Sequence, residues 1–155
     1  MDFGAMERLA KARPQWRIIL VGPIKDEHDW PVNVELPGQV SHENLKGWIE
    51  AADVLLLPYV INAYTEAVLP AKTYECLATG RPVVAAPLPE LEAGFDDVMT
   101  FVKGESDWAK MVEAVVAGDT EDLRQKRRMR GEKNSWVQRY AELKALLVEM
   151  DESHG

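Results

Sequence analysis

The sequence predicts an α/β chain built on an open parallel sheet with helices on both faces. Three observations predict it. Apolar runs without alternation, residues 54–57 (VLLL) and 83–86 (VVAA), are bracketed by Asp53, Pro58, Pro82 and Pro87, as suits strands covered on both sides. Stretches of helical period separate such runs, and strands alternating with helices make parallel sheets. The chain has 155 residues, which matches one hydrophobic core at roughly 150 residues per domain.

The elements follow in order. Met6, Leu9 and Ala10 form the stripe of an opening helix ended by Pro14. Residues 17–21 (RIILV) read as a strand stopped by Gly22 and Pro23, and the polar stretch 25–31 reads as a loop. A short strand covers 33–36, before a turn at Pro37 and Gly38. Ser41 is placed to cap a helix whose face is Leu45, Trp48, Ile49 and Ala52. The two apolar runs then give strands, and residues 100–102 a further short one. Ser106 caps a helix carrying Trp108, Met111, Val112, Val115 and Val116, with Gly118 as its stop. Thr120 caps a basic helix, and Trp136, Tyr140, Leu143, Leu147 and Met150 mark a last amphipathic one. The expected organisation is one domain over residues 1–150 with a disordered tail at 151–155.

Charge and composition narrow the function. Lysine and arginine number 18 against 26 acidic residues, a net charge of -8. A phosphate backbone needs a basic surface, so nucleic acid is not an expected partner. A local exception is the run Arg124, Lys126, Arg127, Arg128 and Arg130, which reads as a solvated helix face or as a contact for an anionic membrane or partner. One cysteine rules out a disulfide framework and suits a reducing compartment. No stretch is long and apolar enough to span a bilayer, and Asp2 and Glu7 replace a basic signal-peptide start. The expected location is the cytoplasm, extending to the inner face of the membrane. His28, His42 and His154 lack metal-ligand spacing, so no metal site is expected, and Cys76 reads as a small buried hydrophobe. Trp16 and Trp30 flank the first strand as packing residues or as a platform for a base.

Open parallel sheets bind ligands beyond the carboxyl ends of their strands. That rule selects Gly22 and Pro23, then residues 38–42, 58–72 and 87–90. The stretch 58–80 is the most informative: a buried strand runs into a long loop, then into a helix with Pro70 near its first turn. Free amides at Ala71 and Lys72 offer an anion site, and the lysine adds a positive charge. Glu75, three positions on, shares the face of Lys72 and can accept hydroxyl hydrogen bonds from a ribose. The alternative for Lys72 and Glu75 is an ordinary surface salt bridge. Ala71, Tyr74, Leu77 and Ala78 are expected to pack under the sheet. Tyr59, Asn62, Tyr64 and Thr65 either contact a sugar or fold the loop down. Short motifs for dinucleotides, triphosphates, zinc or acyl transfer are absent from the sequence.

Five segments carry a resemblance to a known family: WRIILVGP (residues 16–23), LPGQV (36–40), AADVLLLPY (51–59), LPAKTYECLATGRPVVAAPLPEL (69–91), and Ser135 with Trp136. In order and spacing they resemble the C-terminal, donor-binding half of a GT-B fold glycosyltransferase, of the retaining group 1 and family 4-like kind. The resemblance implies a Rossmann-like sheet, half of a GT-B fold, that binds a UDP- or GDP-sugar and needs no further cofactor. By it Glu75 matches the second glutamate of a paired motif and holds the donor ribose. Ala71 and Lys72 fall where the diphosphate is received, and the loop from Gly38 to Val40 runs past the base. The first glutamate of the pair would stand at Ala67. Glu66 lies one place away, and Pro70 replaces a common glycine.

The resemblance also implies that the facing N-terminal domain, with the acceptor site, is missing, along with the opening strand of this half. The expected activity is therefore donor binding without transfer by the isolated chain. The expected partners are a nucleotide sugar, a missing domain or partner subunit, and a second copy of the chain docked through the last helix. Half of a nucleotide-sugar epimerase, or a noncatalytic nucleotide- or partner-binding module, are the rival readings.

Overall fold

A computed structural model describes residues 1–24, 28–103 and 107–133, together with positions 138, 140, 143 and 144. In chain order the elements are α1 (Phe3–Ala12), β1 (Ile18–Val21), β2 (Val34–Gly38), α2 (His42–Ala51), β3 (Leu55–Leu57), a 3-10 turn (Thr65–Ala67), α3 (Lys72–Ala78), β4 (Val83–Ala85), α4 (Pro89–Phe95), β5 (Thr100–Phe101), α5 (Trp108–Ala117) and α6 (Glu121–Glu132).

Helix α1 forms because Asp2 accepts the Ala5 amide at 2.8 Å and caps its first turn. Its apolar stripe, Ala5, Met6, Leu9 and Ala10, is buried as the spacing predicts. The Asn33 side-chain amide reaches the carbonyls of Ala10, Arg13 and Trp16 at 3.0–3.2 Å, which ties the start of β2 to the α1–β1 connection.

All strand pairings are parallel, but the single expected sheet is two ladders, β1-β2 and β3-β4-β5. Helices cover both faces of the second ladder because its side chains alternate. Val83 and Ala85 of β4 point into a cluster with Leu77, Leu88, Leu91 and Phe95 from the α3 and α4 side. Val84 points the other way, to Val102 and Val112 beside α5. A further cluster joins Met6 and Leu9 of α1 to Ile18 and Leu20 of β1 and Ala109 of α5. Each fully buried large aliphatic side chain contributes about 1.5–3 kcal/mol, so these clusters carry the fold. Trp16 and Trp30 pack against the α1–β1 cluster.

Ser41 and Thr120 cap α2 and α6 by accepting the amides of Asn44 and Leu123, and Gly118 ends α5. Other expectations shift. The residue capping α5 is Asp107, whose carboxylate accepts the Ala109 amide at 2.8 Å. Ser106 lies outside the described residues, as do the tail 151–155 and Trp136, Leu147 and Met150 of the last stripe. Tyr140 and Leu143 from that stripe are exposed, at 69% and 56%. Helix α2 buries no residue fully; Leu45, Trp48, Ile49 and Ala52 are half-buried. Helix α4 has no counterpart in the sequence pattern: seven residues are too few for a period, although Leu91 and Phe95, one turn apart, are buried.

Candidate functional site

Because the paired strands are parallel, their carboxyl ends gather on one edge of each ladder. At the first, β2 ends on Gly38, whose φ of +74° places it in the left-handed region that favours glycine. The Gly38 carbonyl accepts the Gly22 amide at 2.9 Å, joining the ends of β1 and β2. The chain then passes Gln39 and Val40 to the Ser41 cap. A shallow hollow there is lined by Val40, Ser41, Asn44 and Trp48 among others. The Arg17 guanidinium lies 5.9 Å from the Trp48 ring centre and is held by Glu35 at 2.6 Å.

At the second edge, β3 runs out at Pro58 into a loop that folds on itself. The Asn62 side-chain carbonyl accepts the amides of Tyr64 and Thr65, both at 3.0 Å, and the Thr65 hydroxyl donates to the Val60 carbonyl at 2.7 Å. Asn62 and Thr65 therefore shape the loop. Glu66 stands exposed in the 3-10 turn that follows, which lies against α4.

Helix α3 begins at Lys72, two residues after the buried Pro70. Ala71 precedes it in helical conformation, and no side chain caps the helix. Its first turn leaves amide N–H groups on the carboxyl-end side of the sheet, where the helix dipole is positive. Lys72 and Glu75 are both exposed. Among the described residues neither makes an ion pair, so the salt bridge open to this spacing is not formed. The inward face also differs from expectation: Thr73 and Leu77 are buried and Tyr74 half-buried, while Ala71 and Ala78 face solvent. Cys76 is half-buried, and burial pushes its thiol up to about 11, helped by the Glu75 carboxylate and opposed by Lys72.

Helix α3 is held from behind. The Tyr74 and Phe95 rings meet edge to face at 5.5 Å. Gly131 of α6 sits so close that a Cβ there would lie 2.7 Å from Ala78 Cα and 2.8 Å from the Tyr74 carbonyl oxygen. Arg127 is buried at 5% exposure, donates from Nε to the Gly80 carbonyl at 2.9 Å and pairs with Asp119. Asp119 also takes Arg124 at 2.6 Å, while Lys126 and Arg130 reach Asp97 and Arg128 reaches Glu121, each at 3.0 Å. The basic run thus clamps the chain through its ion pairs, with Arg127 buried and the side chains of Arg124, Lys126, Arg128 and Arg130 still 40–53% exposed on a solvated face.

Ala71, Lys72 and Glu75 share the first turn of α3, and Gly38 and Val40 share the β2–α2 connection. Glu66 belongs to a separate turn. The hollow beside Val40 does not include the α3 residues. Sequence reasoning missed Asn44 in that hollow and the roles of Gly131 and Arg127 behind α3. Trp48 was legible only as a core position; its partner signal is the Ser41 cap that starts its helix. Among the described residues no three His, Cys, Asp or Glu side chains gather to hold a metal, and no helix is long and apolar enough to cross a membrane.

The family described as glycosyl transferases group 1 matches residues 3–118. The "Putative teichuronic acid biosynthesis glycosyltransferase TuaH" of Bacillus subtilis (strain 168) is 31% identical over 96 residues, covering 57% of this chain and 24% of that protein. The solved structure of AviGT4, a glycosyltransferase involved in avilamycin A biosynthesis, superposes with a TM-score of 0.64 at 20% identity, over 91% of this chain and 47% of the other. The chain therefore spans about a quarter of the first relative and about half of the second. Two open parallel ladders flanked by helices form a Rossmann-like half of a GT-B fold.

Proposed function

Given that the chain belongs to the group 1 glycosyl transferases, we propose that it is the donor-binding half of such an enzyme and holds a UDP- or GDP-sugar at the carboxyl ends of its strands. The observation that carries this reading is the first turn of α3: uncapped amides, an exposed Lys72 and an exposed Glu75, with both side chains free of ion pairs among the described residues.

In this reading the diphosphate lies at Ala71 and Lys72, where backbone N–H groups and the helix dipole favour an anion. Glu75, three residues on in the same turn, accepts hydrogen bonds from the two ribose hydroxyls. The base runs along Gly38 to Val40, beside the hollow that Trp48 lines. Glu66 is the carboxylate nearest in sequence to a sugar-contacting position. The reaction of the whole enzyme moves a glycosyl group from the diphosphate to a hydroxyl acceptor. Negative charge grows on the departing diphosphate as that bond breaks, and Lys72 with the α3 amides stabilises it. An acceptor must be held against the donor by a facing wall, and such alignment supplies several kcal/mol of barrier reduction. The 155 residues alone are accordingly a binding half and transfer no sugar; turnover by the purified chain refutes that part.

Binding calorimetry with UDP, GDP, ADP and UDP-sugars tests the ligand class. Replacing the carboxylate in Glu75→Ala should weaken nucleotide binding by about 1.5–3 kcal/mol, the range for a hydrogen bond to a charged group. Equal affinity in the two proteins removes the ribose assignment.

A further inference from the structure

We propose that the hollow along α2 is a groove for a neutral oligosaccharide, walled by Trp48 and hydrogen-bonded by Gln39 and Asn44. The lining carries this assignment, independently of the nucleotide reading. The hollow has a volume of about 530 Å³ and is lined by Gln39, Val40, Ser41, Asn44, Gly47 and Trp48. Sites for small ligands run to roughly 300–1,000 Å³. Ser41, Asn44 and Trp48 recur three and four residues apart, so they form one flank of the helix.

Trp48 does not belong to the core. Among the described residues, none of the three buried clusters takes in a residue of α2. The indole is nevertheless held in place. The Arg17 guanidinium stands 5.9 Å from its ring centre, and two hydrogen bonds to Glu35, at 2.6 and 2.8 Å, fix that guanidinium. A wall already ordered costs less to bind against than one that must be frozen. Gly47, beside it, has nothing within 4 Å of an added Cβ, so the space over this turn is open.

The groove leads away from the edge that the nucleotide reading uses. Helix α2 leaves the carboxyl end of β2, so Gln39 and Val40 mark that edge. Trp48 lies seven residues past Ser41, about 10 Å along the helix. It meets Arg17, which directly precedes β1, and Ile18 of β1 is level with Val34 at the start of β2. The indole therefore stands at the amino end of this ladder, whereas a base beside Gly38 to Val40 stands at the carboxyl end.

The chemistry of the lining names the ligand class. No charged side chain lines the hollow, and Glu35 neutralises the Arg17 behind Trp48. A net charge of -8 adds repulsion for anions. The side-chain amides of Gln39 and Asn44 are exposed and make no hydrogen bond among the described residues. Each sets an acceptor beside two donors, which pair with neighbouring hydroxyls that both donate and accept. The C–H face of a pyranose fits the negative face of an indole. The length of the flank suits linked sugars over a single ring.

NMR titration of the 155-residue chain, without nucleotide, tests this with maltohexaose, laminarihexaose and mannohexaose. Hexagalacturonate serves as an anionic chain of equal length. At least one neutral chain should shift the Trp48 indole N–H and the Asn44 side-chain amide saturably, and should bind at least tenfold more tightly than hexagalacturonate. Trp48→Ala and Gly47→Leu should each weaken that binding at least tenfold. Leucine at 47 enters open space and gains helix propensity, so this variant should fold. If either variant unfolds, the titrations of the unmodified chain still decide. No shift with any neutral chain, or equal binding of the anionic one, overturns the proposal. A shift of the Trp48 resonance by uridine or guanosine also overturns it, because the hollow is then the base site.

Discussion

Two glycine-to-alanine substitutions should move stability in opposite directions, and the structure says which. Gly47 lies in α2 with nothing within 4 Å of an added Cβ. Alanine there gains helix propensity and restricts the unfolded chain, worth about 0.5–1 kcal/mol. Gly131 lies near the end of α6, where the propensity gain is smaller. Its added Cβ would meet the Ala78 amide nitrogen, Ala78 Cα at 2.7 Å and the Tyr74 carbonyl oxygen at 2.8 Å. All three are backbone atoms of α3 and cannot rotate aside. Relief requires α6 and α3 to separate by several tenths of an ångström, which strains Arg127, whose Nε bond to Gly80 crosses the same contact. Overpacking of this kind costs about 1–3 kcal/mol. The net expectation is a loss of about 1–2 kcal/mol for Gly131→Ala, and a gain of up to about 1 kcal/mol for Gly47→Ala. At about 2–4 °C per kcal/mol for a domain of this size, thermal and urea unfolding resolve the difference. An unchanged or raised midpoint for Gly131→Ala would refute the claim that backbone contact between these helices is rigid. Because α3 carries Lys72 and Glu75, the same variant should also weaken nucleotide binding.

Acid should weaken the α6 clamp. Burial by itself would raise the Asp119 carboxyl, but hydrogen bonds from Arg124 and Arg127 outweigh it and hold the group below its usual value. That contribution is present above about pH 4, the pKa of an unfolded aspartate, and is lost as pH falls through the lower folded value. Unfolding followed from pH 6 to pH 2 should show this loss in the wild type and a flatter acid limb in Asp119→Asn; identical limbs would contradict it. At neutral pH, Asp119→Ala should cost about 3–5 kcal/mol, because it leaves the Arg127 guanidinium buried without its carboxylate. Burial pushes the Cys76 thiol up to about 11, so at pH 8 a thiol reagent should modify the folded chain far more slowly than the urea-unfolded chain. Equal rates would show an accessible thiolate.

The sequence by itself determined the kinds of element and much of their order. Buried strands with helices on both sides must be apolar throughout, so VLLL, between Asp53 and Pro58, and VVAA, between Pro82 and Pro87, stood out and became β3 and β4. Caps are read within four residues, so Ser41 and Thr120 were legible, as was the stop at Gly118. The Lys72–Glu75 spacing was equally local, and it marked the first turn of α3 while leaving a salt bridge open. Tertiary structure decided what depends on residues far apart in the chain. Asp107 and Ser106 are adjacent and both can cap; the fold uses Asp107, where Ala109 is buried against the α1–β1 cluster. Arg127 sits in a basic run that reads as solvated, and only Asp119 and the Gly80 carbonyl, 47 residues away, draw it inside. Gly131 has no local signature, because the backbone it must admit belongs to α3. The division into two ladders was likewise invisible, since any apolar run can be a strand and its neighbour is set by which edges meet. Propensity and capping act over a few residues, whereas burial, ion pairing and close approach act through space, and they become defined only once the chain has folded.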